Sequence, residues 1–129
     1  MALPIIYVDH SKIREGKLQE LRAAVRELAE LVESMEPQLL AYYVYLSEDA
    51  AQMSVVHLHR NSESLKVHLE VGGPAFARFV DLITLQSIDI YGTPSEELLE
   101  ELRKKADLLG AGTVRVHPLQ AGFDRVRLA

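Results

Sequence analysis

The sequence predicts an α+β fold, because strand-like and helix-like patterns follow one another in the order β-α-β-β-α-β over residues 5–91. Two observations lead to this prediction. Short runs of β-branched and aromatic residues are typical of strands, and apolar residues at steps of three and four between those runs are typical of amphipathic helices. The order is that of the ferredoxin-like split βαβ fold, whose four-stranded sheet carries its helices on one face only.

The composition indicates one domain, residues 1–129, with more apolar residues than a monomer of this length needs. The chain has 129 residues, no cysteine, a net charge of −5 and a mean hydropathy of +0.01. The lack of cysteine excludes disulfides and thiolate chemistry, and the acidic balance argues against nucleic acid as a partner. The longest apolar run, residues 39–46, is too short to span a membrane, and no targeting segment is evident. We therefore expect a cytoplasmic protein that does not bind membranes.

The first strand and the first helix have distinct patterns. Residues 5–10 are mostly β-branched or aromatic, which predicts a strand. The apolar residues that follow form one helical stripe: Leu18, Leu21, Val25, Leu28, Val32 and Met35. Pro37 ends this helix, because the residue before a proline is pushed out of the α region.

A hairpin follows, and it predicts how the protein assembles. Residues 39–46 are apolar throughout, residues 47–51 supply a turn, and residues 52–60 return as a second strand. The hairpin is apolar on both faces, whereas the helices of this fold cover only one. We expect a second copy of the sheet to cover the other face, and therefore a homodimer.

The segment after the hairpin predicts a short helix, capped by Asn61 or Ser62. One face of this helix carries Leu65, His68 and Leu69. We expect Gly72-Gly73-Pro74 to break it, and Pro74 to open a further helix. That further helix would contain Phe76, Phe79, Val80 and Ile83.

The remaining residues predict a strand and a C-terminal extension. Residues 84–91 alternate in part and form the fourth strand of the core, residues 5–91. The extension, residues 92–129, adds a helix capped by Thr93 with Pro94 at its first position, and Gly110 ends this helix. A last strand over residues 113–117 leads to a tail over residues 123–128.

Four short segments of the core are similar to a known family. They are Ile13-Arg14-Glu15-Gly16-Lys17, Glu36-Pro37 with Leu40 and Tyr42, Ser62-Glu63-Ser64-Leu65-Lys66-Val67-His68, and Gly73-Pro74-Ala75-Phe76. The chain resembles the antibiotic-biosynthesis-monooxygenase-like proteins of the dimeric α+β barrel superfamily over roughly residues 5–91. The resemblance implies a homodimer in which two sheets stack into a barrel. It also implies activities that range from cofactor-free oxygenation of quinols to haem degradation and isomerisation.

Two departures from the family pattern reduce the number of activities that the resemblance supports. The family's common tryptophan would fall near His59, and this chain has no tryptophan. The haem-degrading branch uses an asparagine in the first strand, where the nearest position holds Asp9. Both departures count against haem degradation and leave cofactor-free oxygenation open.

His68 is the candidate catalytic residue. It shares a helical stripe with Leu65 and Leu69, so we expect it to point at the sheet. There it would act as a general base and take a proton from a phenol or quinol, whose anion can supply an electron to oxygen. The alternative is a core histidine that is hydrogen-bonded to the backbone.

His57 and His59 alternate on one strand and project from the same face of the sheet. They could line a polar pocket wall or an interface, or bind a metal with a third ligand such as Asp9, Asp89 or His117. We favour a polar pocket wall or an interface pair and expect no metal. The hairpin register stays open: a two- or four-residue loop places these histidines with Tyr42 and Val44, and a three-residue loop places them with Tyr43 and Tyr45.

The tyrosines all lie on predicted strands, so they are candidates for binding an aromatic ring. Together with the two strand histidines, the expected substrate-binding residues are Tyr7, Tyr43 and Tyr45. The alternative is that they pack the sheet and its interface. The sequence thus predicts a cofactor-independent monooxygenase acting on a quinol-like or phenolic small molecule. A non-catalytic ligand-binding or assembly module and a cofactor-free isomerase are the alternatives.

Overall fold

The computed structural model describes residues 3–110 and 112–125 and has the predicted α+β architecture. Five strands and three α-helices form one sheet with its helical cover, and a 3-10 helix over Ala77–Asp81 connects α2 to β4. The elements are β1 (Ile5–Ile13), α1 (Leu18–Met35), β2 (Ala41–Leu46), β3 (Gln52–His59), α2 (Ser62–Phe76), β4 (Ile83–Tyr91), α3 (Glu96–Leu109) and β5 (Thr113–His117). The end of the expected tail, residues 126–128, lies outside the described residues.

The sheet has the ferredoxin-like strand order with one strand added. Its order is β2-β3-β1-β4-β5, and β1 pairs antiparallel with both β3 and β4. β5 pairs parallel with β4, because α3 carries the chain back across the sheet before β5 begins. The predicted C-terminal helix and strand are therefore confirmed as an extension of the sheet at its β4 edge.

The helices cover one face of the sheet and bury the main core there. The helix-facing side of β1 contributes Ile5, Tyr7, Asp9, Ser11 and Ile13, all of them buried. The predicted stripe of α1 packs on the sheet through Leu21 and its neighbours, and the helix stops before Pro37 as expected. No helix in the described part of the chain is long and apolar enough to cross a membrane.

The predicted break at Gly72-Gly73-Pro74 is wrong, because α2 continues through all three residues to Phe76. Pro74 lies near the end of the helix, where it removes only one backbone hydrogen bond. Gly72 lets Phe76 pack close, since a Cβ at residue 72 would lie 3.0 Å from the Phe76 ring. Phe76 is itself buried, so tertiary packing holds the helix through the proline.

The other helix boundaries confirm two of three predicted caps. Asn61 caps α2 by accepting a hydrogen bond from Ser64 N, and Gly110 ends α3 with a φ of 139°. The predicted cap at Thr93 is wrong: Ser95 caps α3, and its side chain accepts from Leu98 N. Pro94 therefore lies before the helix and not in its first turn.

The hairpin register settles which tyrosine joins the strand histidines. Ser47 N donates to Gln52 O at 2.9 Å, which leaves a four-residue loop between them. Tyr42 therefore pairs with His57 and lies on the helix side of the sheet. Tyr43 and Tyr45 lie on the open face, opposite to the face the helices cover.

Candidate functional site

Seven polar side chains cluster where the helices cover the sheet. They are Tyr7 and Asp9 from β1, His57 and His59 from β3, His68 from α2, Lys105 from α3, and Glu36, which follows α1. Each is 7% exposed or less. Burying polar groups costs free energy unless they are paired, so such a cluster within an apolar core is a candidate functional site.

A buried ion pair joins Lys105 and Asp9, and the Tyr7 hydroxyl is hydrogen-bonded to both. Lys105 Nζ lies 2.8 Å from Asp9 Oδ2 and also donates to the Tyr7 hydroxyl, which donates in turn to Asp9 Oδ2 at 3.3 Å. Burial, and next the charge of Asp9, raise the pKa of Tyr7, so this hydroxyl keeps its proton. The other carboxylate oxygen, Asp9 Oδ1, has no hydrogen-bond partner among the described residues.

His57 is held as a neutral imidazole with a defined tautomer. Its Nδ1 lies 2.9 Å from the carbonyl oxygen of Tyr7, and because a carbonyl can only accept, Nδ1 carries the proton. Burial is the largest cause that lowers the pKa of His57, followed by the charges of His68 and Lys105. The ring therefore presents a lone pair at Nε2 and resists protonation.

His68 and Glu36 form a second buried pair behind His57. His68 Nδ1 donates to Glu36 Oε2 at 2.9 Å, and the His68 ring lies 4.7 Å from the His57 ring. His59 completes the group, with its Nδ1 2.8 Å from Ser64 Oγ. Burial, followed by His68, lowers the pKa of His59 to about 3.

A small cavity of about 40 Å³ lies beside the ion pair. Its polar lining consists of Asp9, Ser11, Tyr42, His57 and Lys105. Apolar side chains, Phe76 and Phe79 among them, complete the wall. Tyr42 also lines an open surface cleft of about 340 Å³ between the end of α1 and β2, and Glu36 lines the same cleft. His68 is not among the residues that line the cavity.

The structure brings together four of the six predicted site residues: Tyr7, His57, His59 and His68. It does not bring Tyr43 and Tyr45 to them. Their side chains are 57% and 54% exposed on the open face, because the four-residue loop sets the register that turns them away. His68 points at the sheet as expected and packs against the ring of His57, which lines the cavity.

Lys105 is the site residue that sequence reasoning missed. It follows Arg103 and Lys104 near the end of α3, yet those two are exposed and Lys105 is buried. A signal exists in the spacing, since Lys105 falls on the apolar stripe of α3 between Leu102 and Leu109. Glu36 gives no comparable signal, because it follows the helix.

Two of the three further ligands considered for a metal site, Asp89 and His117, lie on the opposite face of the sheet from the strand histidines. Asp89 and His117 project from the open face, where Asp89 accepts from His117 Nε2 at 2.9 Å and from Arg115 Nε at 2.9 Å. The hydrogen bond from Arg115 is the largest cause that lowers the pKa of Asp89 to about 2. Within residues 3–110 and 112–125, no three His, Asp or Glu side chains are placed to hold a metal ion.

The sheet and its helical cover match those of solved antibiotic-biosynthesis-monooxygenase-like proteins, and the predicted resemblance is confirmed at the level of the fold. MupZ from Pseudomonas fluorescens superposes with a TM-score of 0.73 at 17% identity, over 95% of this chain and 94% of its own. SnoaB, a cofactor-independent oxygenase from Streptomyces nogalater, superposes with a TM-score of 0.61 at 12% identity, over 73% and 96%.

A candidate antibiotic biosynthesis monooxygenase from Chloroflexus aurantiacus gives a TM-score of 0.57 at 21% identity, over 68% of this chain and 90% of its own. The sequence matches no protein-family model and no curated protein. At these identities the likeness concerns the fold.

Proposed function

We propose that the protein is a cofactor-independent monooxygenase that deprotonates a quinol-like or phenolic small molecule at this cavity. The observation that supports this most strongly is that Asp9 lines the cavity and that its carboxylate oxygen Oδ1 has no partner among the described residues. Lys105 holds the other oxygen of the same carboxylate at 2.8 Å. Asp9 is therefore the proposed base, and Lys105 is the counter-ion for the anion that forms.

Charge balance favours Asp9 over His57 as the base. When a substrate hydroxyl gives its proton to Asp9, the pair of Asp9 and Lys105 is replaced by a pair of substrate anion and Lys105, so the buried site gains no charge. A proton on His57 would instead place a second cation beside Lys105, and the pKa of His57 is lowered for this reason among others. Two unit charges 4 Å apart interact by about 4 kcal/mol at an effective dielectric constant near 20.

The substrate anion and molecular oxygen supply the remaining chemistry. The anion is electron-rich and transfers one electron to O₂, and the two radicals combine to a peroxide at the activated carbon. Where that ring carbon carries one hydrogen, Asp9 gives its proton to the peroxide, and loss of one water, which takes the carbon's hydrogen, leaves a carbonyl. One oxygen atom is then in the product and the other in water, and Asp9 is again a carboxylate. Tyr7, which keeps its proton, holds the Asp9 carboxylate by its hydrogen bond, while Lys105, which lines the cavity, donates to the anion.

We infer that the cavity enlarges for the substrate when Tyr42 moves. A cavity that holds benzene measures about 150 Å³, whereas this cavity measures about 40 Å³. Tyr42 lines both this cavity and the surface cleft, so rotation of its ring would join the two spaces. The aromatic ring of the substrate would then occupy the position that Tyr42 leaves.

The same acid–base pair favours one other function, a cofactor-free isomerase, because Asp9 could return the proton to a different atom of the substrate. Oxygen uptake, measured with a panel of hydroquinones and phenols, separates the functions. Uptake matched to product supports the monooxygenase, and conversion without uptake supports the isomerase. If no compound gives oxygen uptake or conversion, both enzymatic functions are contradicted and a binding module is favoured.

A further inference from the structure

Ser11 shares the cavity with Asp9. It lies two residues further along β1, on the same helix-facing side, and its side chain is 1% exposed. Its hydroxyl Oγ has no hydrogen-bond partner in the part of the chain that the structure describes. A buried hydroxyl without a partner costs free energy, so its presence at a cavity wall points to a ligand group that binds it.

The residues paired with Ser11 on the neighbouring strands offer its hydroxyl no side-chain partner. Ser11 is paired with Met53 on β3 and with Leu85 on β4, and both are apolar. An alanine would fill the position in the core without an unpaired group. The cavity that Ser11 lines is therefore the place from which a partner would come.

We propose that Ser11 is a specificity-determining residue that binds a second oxygen of the substrate. This rests on the proposed function, in which Asp9 takes the proton from the first oxygen. Side chains two residues apart on a strand are separated by about 6.8 Å. That spacing suits oxygens on opposite sides of one aromatic ring, as in hydroquinone, and not those on neighbouring carbons.

The side chains of Asp9 and Ser11 differ in the hydrogen bonds that they can make. A carboxylate only accepts, so Asp9 requires a hydroxyl on the substrate. A serine hydroxyl donates or accepts, so Ser11 accommodates a hydroxyl before reaction and a carbonyl after it. The pair therefore selects a dioxygenated ring over a ring with a single hydroxyl.

The test is a binding measurement without oxygen, so that no reaction occurs. Anaerobic ¹H–¹⁵N NMR titrations with hydroquinone and with phenol are carried out on the wild-type protein, Ser11→Ala and Ser87→Ala. Ser87 is the matched control, since it is buried on the neighbouring strand β4 but faces the other side of the sheet. The wild-type protein binds hydroquinone more tightly than phenol, and Ser11→Ala loses this preference through a loss of about tenfold in hydroquinone affinity.

The outcomes separate this inference from the proposed function. If both compounds bind at the cavity and Ser11→Ala changes neither affinity, the role of Ser11 is wrong and the proposed function stands. An equal loss of affinity for both compounds also overturns the role of Ser11, because a structural defect would weaken the binding of hydroquinone and phenol alike. If neither compound binds the wild-type protein, both proposals fail. Thermal unfolding gives a second readout: Ser11→Ala raises the midpoint, whereas a lower midpoint would show that the hydroxyl has a structural partner.

Discussion

His68 donates a hydrogen bond from Nδ1 to the carboxylate of Glu36 at 2.9 Å, although the two residues are 32 positions apart and both are buried. The pair joins the end of α1 to the middle of α2, and neither residue lines the cavity. The His68 ring also contacts the ring of His57, which lines the cavity. We therefore assign the pair a supporting role, in which it fixes the position of His57.

The first prediction concerns this pair. Glu36→Gln keeps the shape of the side chain but removes its charge, and we expect a loss of about 2 kcal/mol in the free energy of unfolding. Denaturant unfolding measures this loss. Glu33→Gln is the matched control, because Glu33 lies three residues earlier and is exposed. Equal stability of the two variants would contradict the supporting role.

The second prediction concerns acid stability. The pKa of His59 is about 3 in the folded protein and 6.5 in an unperturbed chain, and the pKa of His57 is lowered as well. Between these values the unfolded chain binds protons that the folded protein excludes, so the free energy of unfolding falls as the pH falls below 6.5. The loss is about 1.4 kcal/mol per pH unit for each imidazole.

Denaturant unfolding between pH 7 and pH 5 measures this slope. His59→Gln removes one titrating group, so the free energy of unfolding should fall less steeply with pH by the contribution of one imidazole. His10→Gln is the control, because His10 lies on the open face and is partly exposed. A stability that does not change between pH 7 and pH 5 would show that the buried histidines accept protons in the folded state.

The third prediction concerns access to the cavity. Tyr42→Ala joins the cavity to the surface cleft, so we expect faster binding of hydroquinone and a lower KM in the oxygen-uptake assay. Stopped-flow mixing measures the association rate. Tyr43→Ala is the control, because Tyr43 is the next residue and faces the other side of the sheet. An unchanged association rate in Tyr42→Ala would place the entrance elsewhere.

The fourth prediction concerns assembly. Tyr43 and Tyr45 expose aromatic rings on the open face, with Ile6 and Tyr91 also exposed there. We expect two copies of the chain to bury this face against each other. Tyr43→Lys with Tyr45→Lys places charges in that contact and should shift the protein from dimer to monomer in sedimentation equilibrium. A wild-type protein that sediments as a monomer at micromolar concentration would contradict the prediction.

Much of the fold follows from local sequence patterns. The stripe of α1, the cap at Asn61 and the stop at Gly110 are set by residues within one or two turns of each feature. The break expected at Pro74 does not occur, because burial of Phe76 outweighs one missing hydrogen bond. Local rules predict helix boundaries only where no such packing competes with them.

The site depends on contacts between distant residues. His57, His59 and His68 were identified from their spacing, since alternation and helical periodicity fix the face on which each one lies. The partners of this cluster required the structure: Lys105 reaches Asp9 across 96 positions, and the choice of Tyr42 over Tyr43 depends on one loop. No local pattern encodes either contact.

The rate of oxygen uptake in variants of Asp9 and Lys105 tests the central claim most directly. Asp9→Asn should lower kcat/KM with the best hydroquinone substrate by at least about a hundredfold, because the base is lost. Asp9→Asn with Lys105→Met removes both buried charges, so it should fold stably and remain inactive. Asp49→Asn, in the exposed turn, should keep the wild-type rate. Wild-type oxygen uptake in folded Asp9→Asn would contradict the account.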